Sequence, residues 1–95
     1  MFILYPQATR FPLGQLFATP GVLAEVSTTD ISIALARHAM GDWGDLCQED
    51  LDENNHALKQ GNRLLSSYHS AERVKFWIIT EWDRSVTTVL LPSEY

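Results

Sequence analysis

Positive charge is scarce in this chain, and the scarcity is uneven. Seven Lys and Arg stand against twelve Asp and Glu, leaving a net charge of -5. No Lys or Arg lies between Arg37 and Lys59. An acidic surface repels phosphates, which argues against direct contact with nucleic acid. Cysteine is almost absent. Cys47 stands alone, so no intramolecular disulfide can form, and the chain suits a reducing cytoplasm. Long apolar runs are missing too. Met1-Phe2-Ile3-Leu4-Tyr5 stops at Pro6 and has no basic flank. It is too short for a signal peptide or a membrane span, and an edge strand or tacked-down arm is expected there. There are no repeats, low-complexity runs or linkers. No HExxH, CxxC or Gly-rich phosphate loop occurs, so neither metal nor cofactor is expected.

What is present is a globular composition. Ninety-five residues with 45% hydrophobic side chains make one domain, 1–95, with a small core. The carboxylates are concentrated: Asp42, Asp45, Glu49, Asp50, Asp52 and Glu53 fall within twelve residues, beside Gly41-Asp42-Trp43-Gly44-Asp45.

The periodicity changes once along the chain. Leu13 to Ala18 reads as a short strand. Thr19-Pro20-Gly21 then opens one or two helical turns to Val26, because Thr caps well and Pro at the first helical position needs no partner for its missing N–H. Thr28-Thr29-Asp30 supplies a second start, and Ile31, Ala34, Leu35 and His38 follow at helical spacing to about Met40, with Gly41 as the stop. A third helix begins at Cys47 or Gln48, with Glu49 and Asp50 in its first turn, where the helix dipole favours anions. Asp45 with Gln48, or Cys47 with Asp50, could form a capping box. Leu51, Asn54, Asn55 and Leu58 form its inner stripe, and Gly61 ends it.

After Gly61 the pattern alternates. Arg63–Tyr68, Val74–Glu81 and Val86–Leu91 are expected strands joined by hairpin-length links. In the middle strand Val74, Phe76, Ile78 and Thr80 form the core face. Lys75, Trp77, Ile79 and Glu81 form a partly covered one. The whole reads as α+β: two to three helices packed on one side of a three- or four-stranded antiparallel sheet, with a C-terminal β-meander.

Several segments together carry a resemblance. They are Gly41-Asp42-Trp43-Gly44-Asp45, Glu49-Asp50 with Asn54-Asn55 and Ala57-Leu58, Gly61 to Ser66, Trp77 to Glu81, Asp83-Arg84-Ser85 and Thr87 to Pro92. From about Leu13 onward the chain resembles a family of small bacterial plasmid-related proteins found on mobile elements. These are sometimes labelled type I restriction methylase subunits. The resemblance implies an accessory protein of mobile DNA. Cys47 departs from it, standing where an acidic residue would be expected. A methyltransferase domain would need a longer α/β sheet with a Gly-rich cofactor loop than 95 residues supply.

Several segments carry partial signatures of other chemistries. Asp50 to Asn55 begins like a calcium loop, but Asn55 replaces its glycine and Gly61 its bidentate glutamate. His38/Asp42 and Asp52/His56 are spaced four apart, as in metal or proton-transfer pairs, though surface ion pairs use the same spacing. His38 also falls on an apolar stripe, where a hydrogen-bonded, partly buried role is expected. Cys47, Asn55 and His56 hold the residue types of a thiol triad. Their helical spacing separates them, and acidic surroundings disfavour a thiolate. Trp43 is expected in the core and Trp82 at the surface.

Two functions follow as expectations. In the first, the protein is not an enzyme. It binds a basic protein surface through Asp42, Asp45, Glu49, Asp50, Asp52 and Glu53, with Trp82 as an exposed anchor, without membrane or direct nucleic-acid contact. A mobile-element inhibitor of host defence, anti-CRISPR or anti-restriction, would act this way. In the second, it is a small hydrolase with Glu81, Asp83 and Arg84 facing Asp42–Asp45.

Overall fold

The computed structural model describes residues 9–95, so the arm expected at Met1–Tyr5 lies outside the described residues. The described chain runs β1 (Gln15–Ala18), α1 (Pro20–Glu25), α2 (Thr28–Ala39), α3 (Gln48–Gln60), β2 (Leu64–His69), β3 (Lys75–Thr80), β4 (Val86–Leu90) and a 3-10 turn at Pro92–Glu94. The fold is α+β, and the change of period at Gly61 is the change from helix to sheet.

The helix starts follow from capping. Thr19 Oγ1 accepts from Val22 N–H at 3.3 Å, with Pro20 in the first turn of α1. For α2 the cap is Ser27, one residue before the expected Thr-Thr-Asp start. Its Oγ accepts from Asp30 N–H at 3.1 Å. The Asp30 carboxylate is thereby free to accept from Ala71 N–H at 3.0 Å, tying α2 to the β2–β3 link. At the start of α3, Cys47 is the cap residue but makes no side-chain capping bond. Neither expected capping box forms, because Asp45 is drawn to His69 and the Gln48 amide donates to Asp52. Gly61 ends α3 with φ 76°, a left-handed conformation that favours glycine.

The four strands lie in the order β1-β4-β3-β2. β2 pairs antiparallel with β3, and β3 with β4, as their short links require. β1 pairs parallel with β4, so the sheet is mixed rather than all antiparallel. The difference has a simple cause. Hairpin-length links dictate the directions of β2 to β4, but all three helices separate β1 from the rest, and no link length constrains it.

Register assigns the faces. Leu64↔Thr80, Ser66↔Ile78 and Tyr68↔Phe76 share one face. Tyr68, Phe76, Ile78 and Val89 pack there against Val22 and Val26 of the α1 segment and Ile31 and Ala34 of α2. The opposite face carries Leu65, Ser67, Trp77, Ile79 and Leu90. The C-terminal turn covers part of it, with Tyr95 edge-on to Trp77 at 5.8 Å between ring centres. Glu94 anchors that turn by accepting from Thr19 Oγ1, Gly21 N–H and Leu91 N–H.

α3 lies along the free edge of β2 rather than with α1 and α2. Its Asn54 side chain donates to the Leu65 carbonyl and accepts from Leu65 N–H at 3.3 Å. Two residues on, Ser67 N–H donates to the Trp43 carbonyl at 3.1 Å and the Ser67 carbonyl accepts from Asp45 N–H at 2.7 Å. Four outward-facing backbone groups of an edge strand are thus satisfied, and the edge is closed to other strands.

Candidate functional site

The Gly41–Asp45 segment is tied into the fold at every residue from Asp42 to Asp45. Trp43 is 2% exposed, and its indole N–H donates to Asn55 Oδ1 at 2.9 Å. Its ring stacks on Phe11 and meets His38 edge-on, at 6.1 and 5.5 Å between centres. Gly44, at φ 80°, lets the backbone approach β2 so closely that a β-carbon would collide with the Ser67 carbonyl. Asp42 receives Arg37 on both oxygens, Nε at 2.7 Å and Nη2 at 3.2 Å, and also accepts from Gly44 N–H. The Arg37 contact holds the Asp42 carboxyl below its usual range. Asp45 pairs with His69 Nδ1 at 2.8 Å. Neither aspartate caps α3.

Of the six expected acidic contact residues, then, Asp42 and Asp45 have cationic or imidazole partners within the fold. The other four lie exposed along α3 and have no such partner among the described residues. At 100° per residue Glu49, Asp50, Asp52 and Glu53 span an arc of about 160°. Asp52 receives only the neutral Gln48 amide, at 3.0 Å. Because the segment is helical, Asp50, Asp52 and Asn54 project in different directions and do not form the looped geometry of a calcium site. Trp82 is 67% exposed, as expected, but it sits on the β3–β4 turn, beyond the end of β3 opposite Lys75.

Between α3 and the far face of the sheet lies a cleft of about 520 Å³. Asp50, Glu53 and Asn54 form one wall with the Asp45–Cys47 link; Leu65, Ser67 and Trp77 form the floor, and Lys75 borders it. The alternation at Trp77 indicated a partly covered face. It did not indicate that α3 would stand beside that face, because strand-to-helix placement depends on Asn54 docking to Leu65. A second cleft, of about 420 Å³, lies between β1 and α2 and is lined mainly by apolar groups such as Leu16 and Leu35.

Asp83 and Arg84 of the hydrolase alternative, and the buried His38, are engaged by hydrogen bonds within the fold. His38 is fully buried, with Nδ1 at 2.5 Å from Ser66 Oγ and Nε2 at 2.8 Å from Thr80 Oγ1. Thr80 Oγ1 is 2.7 Å from Thr87 Oγ1, and Thr87 donates to the Leu13 carbonyl at 2.6 Å. The carbonyl can only accept, which sets the direction of the whole chain. Thr87 donates to Leu13, Thr80 to Thr87, His38 Nε2–H to Thr80, and Ser66 to an unprotonated His38 Nδ1. Burial, with a smaller contribution from Arg84, pushes the His38 pKa down to about 3. Asp83 is bound to Ser85, and Arg84 donates to the Asn62 and Glu81 carbonyls. Neither of the two clefts is lined by Glu81, Asp83 or His38.

No group of three or more metal-ligating side chains occurs among the described residues, and no described helix is long and apolar enough to cross a membrane. Comparison with protein-family models, with curated proteins and with solved structures finds no match to this chain.

Proposed function

We propose that this is a protein-binding domain without catalytic activity, which engages a basic protein surface through the exposed carboxylates of α3. One observation carries the reading: Glu49, Asp50, Asp52 and Glu53 are displayed together and form no ion pair among the described residues. Folding does not require such a cluster, since like charges on one helix repel. A basic partner gains from it both steering and register. The single cysteine accords with action in the cytoplasm. The resemblance to plasmid-related proteins supports a partner among host proteins that handle nucleic acid, such as components of a CRISPR or restriction system. The acidic helix would occupy ground that otherwise holds phosphates.

The experiment is an affinity capture from a native host, repeated with Glu49→Lys, Asp50→Lys and Glu53→Lys combined. None of the three side chains accepts a hydrogen bond among the described residues, so the variant is expected to fold, with a modest loss from the helix dipole. Association with the captured partner at low salt is expected to slow at least tenfold, and wild-type association is expected to weaken as salt rises. A triple variant that associates as fast as wild type at low salt sinks the proposal.

A further inference from the structure

We infer that two copies of this chain join edge to edge through β1, as an antiparallel pair of strands across a two-fold axis at Phe17. The inference does not draw on the acidic-helix reading.

The two edges of the sheet differ. The β2 edge is closed by Asn54, Trp43 and Asp45. The β1 edge is open among the described residues. Gln15 N–H donates to the Ser85 carbonyl at 2.9 Å and Thr19 N–H to the Val89 carbonyl at 3.0 Å. Alternate residues of a parallel ladder face the neighbouring strand, so Leu16 and Ala18 direct their N–H and C=O groups away from β4. None of these groups has a hydrogen-bond partner among the described residues.

Exposed edges are normally guarded by a charge, a proline or a bulge. β1 carries none of these. No charged residue occurs between Arg10 and Glu25. Leu16 and Phe17 are 53% and 52% exposed. Beside the edge opens the apolar cleft of about 420 Å³, with Leu13 and Leu16 on one side and Leu35, Ala36 and Ala39 on the other. The strand's one safeguard is its length of 4 residues, which limits any pairing to a short segment.

A second copy of the same edge is complementary to it. Antiparallel pairing about Phe17 sets Leu16 of each copy opposite Ala18 of the other, and each such pair exchanges both of its N–H···O=C bonds. Large thus meets small on the helical face, beside the cleft. Register with Thr88 and Ile79 puts Phe17 on the far face. There the two Phe17 rings meet across the axis as a non-hydrogen-bonded pair, the kind that brings side chains closer. Charge does not oppose the contact. α3 lies beyond β2, and β2 is three strand spacings, about 14 Å, from β1. The two acidic helices therefore stand at opposite ends of one continuous sheet, farther apart than a Debye length of about 8 Å. Assembly also stops at two, because each copy's other edge is already closed. The strand edge, the two half-exposed side chains and the cleft rim offer about 500 Å² per copy, about 1,000 Å² in all, at the low end of specific interfaces. A dissociation constant of about 10–100 μM is expected for such a contact.

The test uses the full chain. Sedimentation from about 1 μM to about 1 mM should show the mass of one chain rising to that of two and no further. The Leu16 and Ala18 amides should exchange more slowly as the dimer forms. Phe17→Lys sets like charges opposite each other on an exposed face. It should weaken association at least tenfold and leave melting of the dilute protein unchanged. In a Cys47→Ser background, Phe17→Cys should form a disulfide-linked dimer with oxidised glutathione, since the α-carbons of that pair lie about 4.5 Å apart. Leu16→Cys should not, because Leu16 faces Ala18 and its own counterpart lies beyond the roughly 7 Å that a disulfide spans. A chain that stays single at the highest concentration overturns the proposal, whether its Leu16 and Ala18 amides exchange freely or are protected within one copy. Growth beyond two copies, or crosslinking through Leu16→Cys rather than Phe17→Cys, overturns it as well. The triple lysine variant of α3 should dimerise as wild type does, so this inference and the acidic-helix reading fail separately. Loss of self-association in that variant would move the contact to α3 and sink the β1 edge.

Discussion

Lowering the pH should destabilise this protein before most of its carboxylates titrate, because of His38. The imidazole is fully buried and neutral, and its pKa is pushed down to about 3, against an ordinary 6.5. Between these values the unfolded chain binds a proton that the folded chain refuses. The stability is fully present above pH 6.5 and drains away as pH falls toward 3. The slope approaches about 1.4 kcal/mol per pH unit once pH is well below 6.5, so pH 6.5 to 4.5 removes about 2 kcal/mol. A chain of this size has about 5–14 kcal/mol in total. Stopping at pH 4.5 leaves out most of the loss of the same sign from Asp42, Asp83 and Glu94, whose depressed pKa values contribute as pH falls through the ordinary carboxylate range. The structural reason is the one-way hydrogen-bond chain. A proton on Nδ1 would make Ser66 an acceptor and leave a charge among Phe11, Trp43 and the sheet. Urea unfolding at half-unit steps measures the slope, and His38→Gln should flatten it. A nuclear magnetic resonance titration of the His38 ring, flat down to pH 4.5, serves if that variant does not fold. A change in unfolding free energy below about 0.5 kcal/mol across the interval, or a His38 ring that titrates near 6, refutes the reasoning.

Trp43→Ala should cost roughly 3–5 kcal/mol, more than a cap or surface pair is worth, while Asp45→Ala should cost under about 1, and thermal melts compare the two directly. Asn54→Ala should cost about 1–3 kcal/mol by stripping both Leu65 backbone groups of partners, and faster hydrogen exchange at the Leu65 amide would register the opened edge. Gly44→Ala should fail to fold stably, since its β-carbon meets the Ser67 carbonyl. Gly61→Ala has the same backbone sign but open space around it, and should cost only about 1 kcal/mol. Soluble expression and melting of the two variants make the check.

The acidic helix itself was legible. Its bounds follow from Gly61 and from the dipole-compatible Glu49 and Asp50, and its exposed carboxylates, far from basic residues in the sequence, form no ion pair among the described residues. The cleft beside it was not. Trp77 gave a hint through alternation, but Ser67 looks like any strand serine. Adjacency in sequence groups Asp42 and Asp45 with the helix carboxylates. Arg37 and His69, distant along the chain, remove them from that group.

Local order was written in the sequence by itself: the period of side chains, the capping Thr19-Pro20, the stops at Gly41 and Gly61, and the burial of Phe76, Ile78 and Thr80 on one strand face. These depend on neighbours within a turn or a hairpin. Tertiary structure alone decided that β1 lies parallel to β4, that Asn54 closes the edge of β2, and that His38 heads a chain of four hydroxyl and carbonyl partners drawn from four segments. Each depends on groups far apart in sequence meeting at hydrogen-bond distance, and the period of the chain holds no record of which distant acceptor a buried donor finds.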